Sequence, residues 1–433
     1  MSKSIKLLTW NIGFLDDGEH PDAIPVQAAA INFADPDLVF INEARRFGKE
    51  DRDNQILELS GLTRLKYVEF AVATDVGVFG ARGQKLIGII SRFPLSNANP
   101  LGSFCDGVFS ESGCFRTLEV VTTIDDRLYY LYATRWSWAD EGNNIKIAGQ
   151  LRDRILALQS NYREACFIVG GDLNQGALSM LHAPPVTFTA QYSDLIRSTG
   201  MTDSYLRDLS TLPVDVVAGM PDDYLLYRAP ALARDSHSGP TEGPGQDSGT
   251  DHKYEATTLE PFNSQFIQLA VQSVATIGIP ITFEFTFKNT SEFTWTSAHR
   301  ISLVLKDSFG WNRITAVLAT NVEPRAEVTF SFETTPTQIG ARSVQAQLRC
   351  QDVWRFGDST PTVQVLVGAA TTEPIKCDDL RGQISEIDNQ IRELTDALAG
   401  DPRTDVKLKN QIAQLMRNRV RIVNDGNGIG CIF

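Results

Sequence analysis

Carboxylates and amides at the ends of apolar runs are the first chemistry this sequence offers. The stretch Phe167-Ile168-Val169-Gly170-Gly171-Asp172-Leu173-Asn174 reads as a buried strand, two glycines that let the backbone turn tightly, and then an acid and an amide. Residues two apart share one face of an extended segment, so Asp172 and Asn174 can point at one ligand. Taken alone, the octet reads first as a strand followed by an ordinary Asp/Asn turn. The same grammar recurs elsewhere. Leu38 to Ile41 leads into Asn42-Glu43, the strand from residue 5 ends in Trp10-Asn11, and the strand at 127–133 leads into Thr134-Arg135-Trp136. In layered α/β proteins, such strand ends line the ligand crevice. Glu43 in isolation reads equally as a solvated acid opening the basic pair Arg45-Arg46.

The elements that must position these groups alternate between strand and helix. Residues 25–32 predict a short helix, which Asp35-Pro36-Asp37 breaks. Residues 84–90 predict a strand followed by Ser91-Arg92-Phe93-Pro94-Leu95, and residues 115–122 and 127–133 predict an antiparallel pair around Asp125-Asp126. Residues 144–160 have helical periodicity, with Ile145, Ala148, Leu151, Ile155 and Leu158 on one face. After a short helix at 192–198 come Asp222-Asp223-Tyr224 and a stretch at 234–248 rich in Gly, Ser, Pro and Asp. Its composition predicts a mobile loop. Thr250-Asp251-His252 follows it.

Composition bounds the function. The 433 residues, 42% of them hydrophobic and 21% charged, predict two or three globular domains with real cores. No apolar run reaches the roughly 18 residues of a membrane span. The N-terminus lacks a signal peptide's long apolar region, so a cytoplasmic location, or export without a cleaved signal, is expected. Six cysteines without a Cys-x-x-Cys pair exclude a disulfide scaffold and suggest no zinc site, although Cys105 and Cys114 could bridge in an oxidising compartment. The net charge of −13 is uneven: residues 1–260 carry 23 Lys and Arg against 35 Asp and Glu. That balance disfavours a protein that slides along nucleic acid on many phosphate contacts, and it suits a site that collects divalent cations.

Six pieces then stand in order across residues 1–260: Thr9-Trp10-Asn11, Asn42-Glu43, Ser91-Arg92-Phe93-Pro94-Leu95, Gly171-Asp172-Leu173-Asn174, Asp223-Tyr224 and Thr250-Asp251-His252. Together they resemble the endonuclease/exonuclease/phosphatase superfamily, which includes DNase-I-like nucleases, apurinic endonucleases, sphingomyelinases and inositol polyphosphate phosphatases. The resemblance implies an α/β four-layer sandwich, two β-sheets face to face with helices outside, and the strand ends gathered at one edge. It also implies phosphate-ester hydrolysis assisted by Mg²⁺ or Mn²⁺. Such a reaction needs an oxygen-ligated cation, a base for water and donors for the transition-state charge. By resemblance, Glu43 is the principal metal ligand and Asp251 assists. Asp172 orients and deprotonates water, while Asn174 and Asn11 donate to the scissile phosphate or fix Asp172. His252 contacts the phosphate, and Asp223 accepts its other ring proton. Many members carry Thr-His where this chain has Thr134-Arg135. Arginine cannot shuttle a proton but grips phosphate bidentately, so Arg135 is expected to bind substrate. Trp136 is expected beside it as a stacking surface, and reads equally as core.

Beyond residue 260 the pattern changes. Short alternating strands such as 281–287 and 328–332 predict a β-sandwich over 262–368. Asn289 to Thr296, Val322-Glu323-Pro324, Gly340 and Val353-Trp354-Arg355-Phe356-Gly357 resemble the Ig-like tryptophan-containing domain of selective-autophagy receptors and bacterial proteins, which implies a binding or spacing role with no catalysis. Residues 378–425 predict an α-helical hairpin, or coiled coil. Leu380, Ile384, Ile387, Ile391, Leu394 and Leu398 form a heptad seam that suits self-association or docking.

Three functions therefore stand open: a nuclease on DNA or RNA, which comes first because the sequence shows no apolar membrane-docking run and no distinctive basic motif for inositol phosphates; a phosphatase or phospholipase on a small phosphorylated substrate; and an inactive binding protein, which Arg135 motivates.

Overall fold

Strands buried on both faces, with helices outside them, build the first of two compact units, Ser2–Pro261; the second is Phe262–Phe433. The structure is a computed structural model. It describes residues 3–13, 23–46, 54–76, 83–101, 117–136, 141–174, 190–204, 223–239, 242–243, 246–247, 250, 252–306, 315–368, 377–400 and 405–428. Cys105, Cys114, Asp222 and Asp251 lie outside the described residues.

In the first unit, β1 (Ile5–Asn11), α1 (Ala23–Ala34), β2 (Leu38–Arg46), α2 (Gln55–Leu62), β3 (Tyr67–Val76) and β4 (Gly83–Ser91) come first. Then follow β5 (Leu95–Leu101), β6 (Thr117–Ile124), β7 (Arg127–Arg135), α3 (Glu141–Asn161), β8 (Cys166–Asp172) and α4 (Ala190–Thr199). The unit closes with β9 (Thr202–Asp203), β10 (Asp223–Arg228), β11 (Ala231–Ser238), the short pair β12 (Glu242–Gly243) and β13 (Gln246–Asp247), and β14 (Glu255–Pro261). The long strands form two six-stranded sheets, in the orders β11-β14-β1-β2-β4-β3 and β5-β6-β7-β8-β10-β9.

Alternate residues of each strand go to different layers. Leu7, Leu38, Phe40, Ile87 and Ile89 of the first sheet meet Leu118, Leu131, Ala133, Ile168 and Leu225 of the second in one core. On the outer faces, Leu8, Trp10, Val39 and Ile41 pack with Ile24, Ala28 and Ile31 of α1 and Ile56 and Leu59 of α2. Phe167 and Val169 pack with Leu151 and Ile155 of α3 and Leu195 of α4. The result is the four-layer α/β sandwich the sequence predicts.

Two local expectations change. On α3 the buried stripe begins at Ile147 and not at Ile145, which is 55% exposed, because the helix face turned to β7 and β8 runs through Ile147, Ala148, Leu151, Ile155 and Leu158. The start of the expected mobile loop, 234–238, is part of β11, paired with β14 across a bulge between Arg234 and His237. Ala231 and Ala233 bury one face of this edge strand, which leaves the polar residues outside.

The second unit opens with β15 (Ser264–Ala270), β16 (Val274–Thr276), β17 (Ile281–Asn289), β18 (Ser302–Lys306), β19 (Thr315–Val317), β20 (Glu327–Thr334), β21 (Gly340–Cys350), β22 (Trp354–Phe356) and β23 (Val363–Gly368). They form one sheet of order β15-β17-β20 and another of order β16-β23-β21-β18-β19, with β22 on β21. Trp295 and Trp354 are fully buried, so they serve packing. The chain ends in α5 (Cys377–Gly400) and α6 (Asp405–Gly428). Leu380 and Ile384 pack against Ile422 and Val274, which joins the hairpin to the strands of its own unit. No described helix is long and apolar enough to cross a membrane.

Candidate active site

Strand parity carries five polar side chains to one edge of the sandwich. Leu7, Leu38, Phe40, Leu131, Ala133, Ile168 and Leu225 supply inward-facing core positions. Counting in twos from them puts Asn11, Asn42, Arg135, Asp172 and Asp223 on the inner face as well. β1 runs parallel to β2, with Asn11 opposite Asn42; β7 runs parallel to β8, with Arg135 opposite Asp172. β10 runs antiparallel to β8, which sets its first residue, Asp223, opposite Asp172.

Glu43 joins this set through a bulge. The β2–β4 register shifts between Ile41 and Ala44, so Asn42 and Glu43 share one opposing position. Glu43 takes φ 56°, a left-handed conformation that costs a non-glycine residue about 1–3 kcal/mol. Gly13 makes room for it: a Cβ there would meet the Glu43 Cβ at 2.6 Å and its Oε2 at 2.7 Å.

The glycines of the octet act by close approach. β8 continues as strand through both of them to Asp172, in place of the expected tight turn. A Cβ on Gly170 would meet the Phe40 ring at 2.3 Å, and one on Gly171 the Thr134 carbonyl oxygen at 1.8 Å.

Asn11 is the hub. Its Nδ2 donates to Glu43 Oε1 at 3.0 Å and to Asp172 Oδ2 at 2.9 Å, and lies 3.3 Å from His252 Nε2. The Gly13 N–H donates to Asn11 Oδ1 at 3.0 Å, which fixes the amide's orientation. Asp172 Oδ1 also accepts the backbone N–H of Asn174 at 2.9 Å. His252 Nδ1 faces Asp223 Oδ2 at 3.2 Å. Around Glu43 stand two cations: Lys85 Nζ donates to Oε2 at 2.6 Å, and the Arg135 guanidinium pairs with Oε1 while its Nε lies 3.8 Å from Asp172. Burial raises the Glu43 pKa, but the charges of Arg135 and Lys85 outweigh it and hold the carboxyl at about 2.

Two expected residues take other places. Asn174 does not share a face with Asp172, because the strand ends at Asp172 and Asn174 turns back at φ 50°. Its side chain donates to the Trp136 carbonyl at 2.8 Å, so it ties β7 to β8, and only its backbone N–H meets Asp172. Trp136 is fully buried with Tyr132, Leu151 and Leu173, and offers no face on which a base could stack. Four residues were missed from sequence. Lys85 could have been found by parity, being two residues before the inward Ile87 and at the site edge. Thr250 accepts the His252 N–H at 3.1 Å and donates to the Asn11 carbonyl at 2.8 Å; the Trp10 indole donates to the His252 carbonyl at 3.0 Å. Trp10 and Thr250 stand in the ordered motifs read from sequence, but neither their clamping roles nor that of Gly13 has a local signal.

The donor set bears on a metal as follows. Among the described residues no three His, Cys, Asp or Glu side chains converge to hold one. Glu43 is nevertheless an ionised oxygen donor of the kind hard cations take, and Mg²⁺ sites often use one or two carboxylates plus substrate. Beside it the buried Asn42 amide has neither polar atom hydrogen-bonded among the described residues. Lys85 already places a positive charge on the same carboxylate. The residues fit a divalent cation at Glu43.

No family model matches the sequence, and no curated protein does. Among solved structures, the chain is similar to an endonuclease/exonuclease/phosphatase family protein from Leptotrichia buccalis, at 15% identity and TM-score 0.43 over 59% of this chain and 99% of that one. An endonuclease/exonuclease/phosphatase from Beutenbergia cavernae gives 14% and 0.45 over 84% and 100%. The human nocturnin catalytic domain, solved with a bound sulfate anion, gives 15% and 0.43 over 59% and 94%.

Proposed function

We propose that the first unit is a metal-assisted phosphoesterase of the endonuclease/exonuclease/phosphatase type, and that its substrate is a nucleic-acid phosphodiester. The observation that carries this reading is the Asn11 amide, which bridges Glu43 and Asp172 and touches His252. One side chain thereby ties a metal-type carboxylate, a candidate base and an imidazole into a single site from three separate stretches of chain.

When bound at Glu43, with Asp251 assisting, Mg²⁺ or Mn²⁺ supplies Lewis-acid polarisation of a phosphoryl oxygen. The protein groups supply the rest. Asp172 accepts the proton of the attacking water. Asp223 holds His252 through Nδ1, which leaves Nε2 as the atom facing the site. Arg135 presents N–H donors to non-bridging oxygens and cannot lose its proton. Asn11 and the Asn174 N–H fix the base; they are positioning groups.

The β-rich and helical unit is proposed to bind a protein partner or to bring copies of the chain together. Solution mass with and without residues 370–433 tests the second role.

The activity test is purified protein with Mg²⁺ or Mn²⁺ against DNA, RNA, phosphoinositides and sphingomyelin. Cleavage of DNA or RNA that stops with EDTA supports the proposal. Turnover of lipid substrates alone transfers the site to the small-substrate reading, and no turnover alongside no metal binding leaves a binding protein.

A further inference from the structure

Glu43 carries more positive charge than it needs. Arg135 and Lys85 both bond to its carboxylate, one at each oxygen. The two cations are not equivalent. Arg135 spans Glu43 and Asp172, so its charge is shared between two acids, and its side chain is 12% exposed. Among the described residues Lys85 is ion-paired only with Glu43, at 2.6 Å from Oε2, and its side chain is 21% exposed. A lysine ammonium is a compact point charge on a flexible stem, whereas a guanidinium bridging two acids is held by its planar fork. Gly13 keeps space clear beside the same oxygen, where a Cβ would stand 2.7 Å from Oε2.

We propose that Lys85 is a resident counter-ion of Glu43 that a divalent cation must displace, so that this lysine sets how tightly the site holds its metal. The inference rests on the reading of Glu43 as a metal ligand. A cation arriving at Oε2 meets the ammonium as a direct competitor for one oxygen, and Arg135 stays in place to hold Asp172. The lysine thereby makes the site a weak, reversible metal binder, and without metal it balances, with Arg135, the charge of the buried carboxylate.

The test is Mn²⁺ binding to the full chain at neutral pH, read by the electron paramagnetic resonance of free Mn²⁺, for wild type, Lys85→Met, Lys85→Gln and Glu43→Gln. The expected result is a Kd at least tenfold lower in both Lys85 variants and no binding in Glu43→Gln. Two variants of different polarity keep the comparison open should one of them fold poorly. Glu43-dependent binding that is unchanged or weaker in the folded Lys85 variants overturns the inference and leaves the metal site standing. Binding that survives Glu43→Gln, or is absent from wild type and Lys85 variants alike, overturns the metal-site reading and the inference with it.

Discussion

Asn11 shows how much of this site hangs on one small side chain. Its amide donates to two buried carboxylates, which it holds together beside the Arg135 guanidinium. Asn11→Asp replaces that donor with a third negative charge. It is expected to lower the unfolding free energy by about 2–4 kcal/mol in urea titration at pH 7, with recovery on acidification. Glu255 lies behind the site and is buried, with Oε2 unbonded among the described residues. Burial first, and then the charges of Asp203 and Asp223, push its pKa well above the ordinary value of 4.5. The unfolded chain releases this proton near pH 4.5 while the folded one keeps it, so stability falls as pH rises above that value. Glu255→Gln removes the penalty. Denaturation at several pH values should show the variant gaining on wild type by up to about 1.4 kcal/mol per pH unit from pH 5 upward, until the folded pKa is passed. A constant difference across pH would place the proton elsewhere.

At the scale of elements, the glycines and the bulge decide the geometry. Gly171 lets β8 approach β7 so closely that an added Cβ would meet the Thr134 carbonyl. Gly171→Ala must separate the strands that carry Arg135 and Asp172. It is expected to cost about 3 kcal/mol or more in urea denaturation, beyond a simple glycine-to-alanine change. How much was legible in the sequence follows from the same features. The strands β1, β2, β4, β6, β7 and β8 and their polar ends were readable because an apolar run is a local signal, while β3, β5, β11 and β14, more polar or broken in pattern, were not read. Glu43, Asp172, Asp223 and His252 could be gathered because each stands in one of the ordered motifs that carry the resemblance; the apolar runs alone left them as turn or surface residues. The fold-back of Asn174 and the bulge at Asn42-Glu43 were not legible, since a left-handed turn after a strand depends on what the next strand offers, here the Trp136 carbonyl. Lys85 lay within reach of parity. The burial of Trp136 required knowing which face α3 would cover.

For the whole molecule, charge and division into units matter most. Residues 1–260 hold 35 acidic against 23 basic side chains, so a polyanionic substrate meets few cations beyond Lys85, Arg135 and a bound metal. Binding of a nucleic acid to Asp172→Asn with Mg²⁺ present should therefore depend weakly on salt. The expected slope of log K against log salt is about −1 to −2, where a protein with many phosphate contacts gives about −6 to −10. A steep slope would point to a further basic surface. The measurement that tests the central claim most directly is turnover by Asp172→Asn, His252→Ala and the double variant on the substrate that wild type cleaves with Mg²⁺ or Mn²⁺. Groups acting on one transition state are predicted to lower turnover by about 10³-fold each, with the double variant little worse than the single ones. Turnover that stays within tenfold of wild type in either single variant would contradict the assignment of this strand edge as the active site.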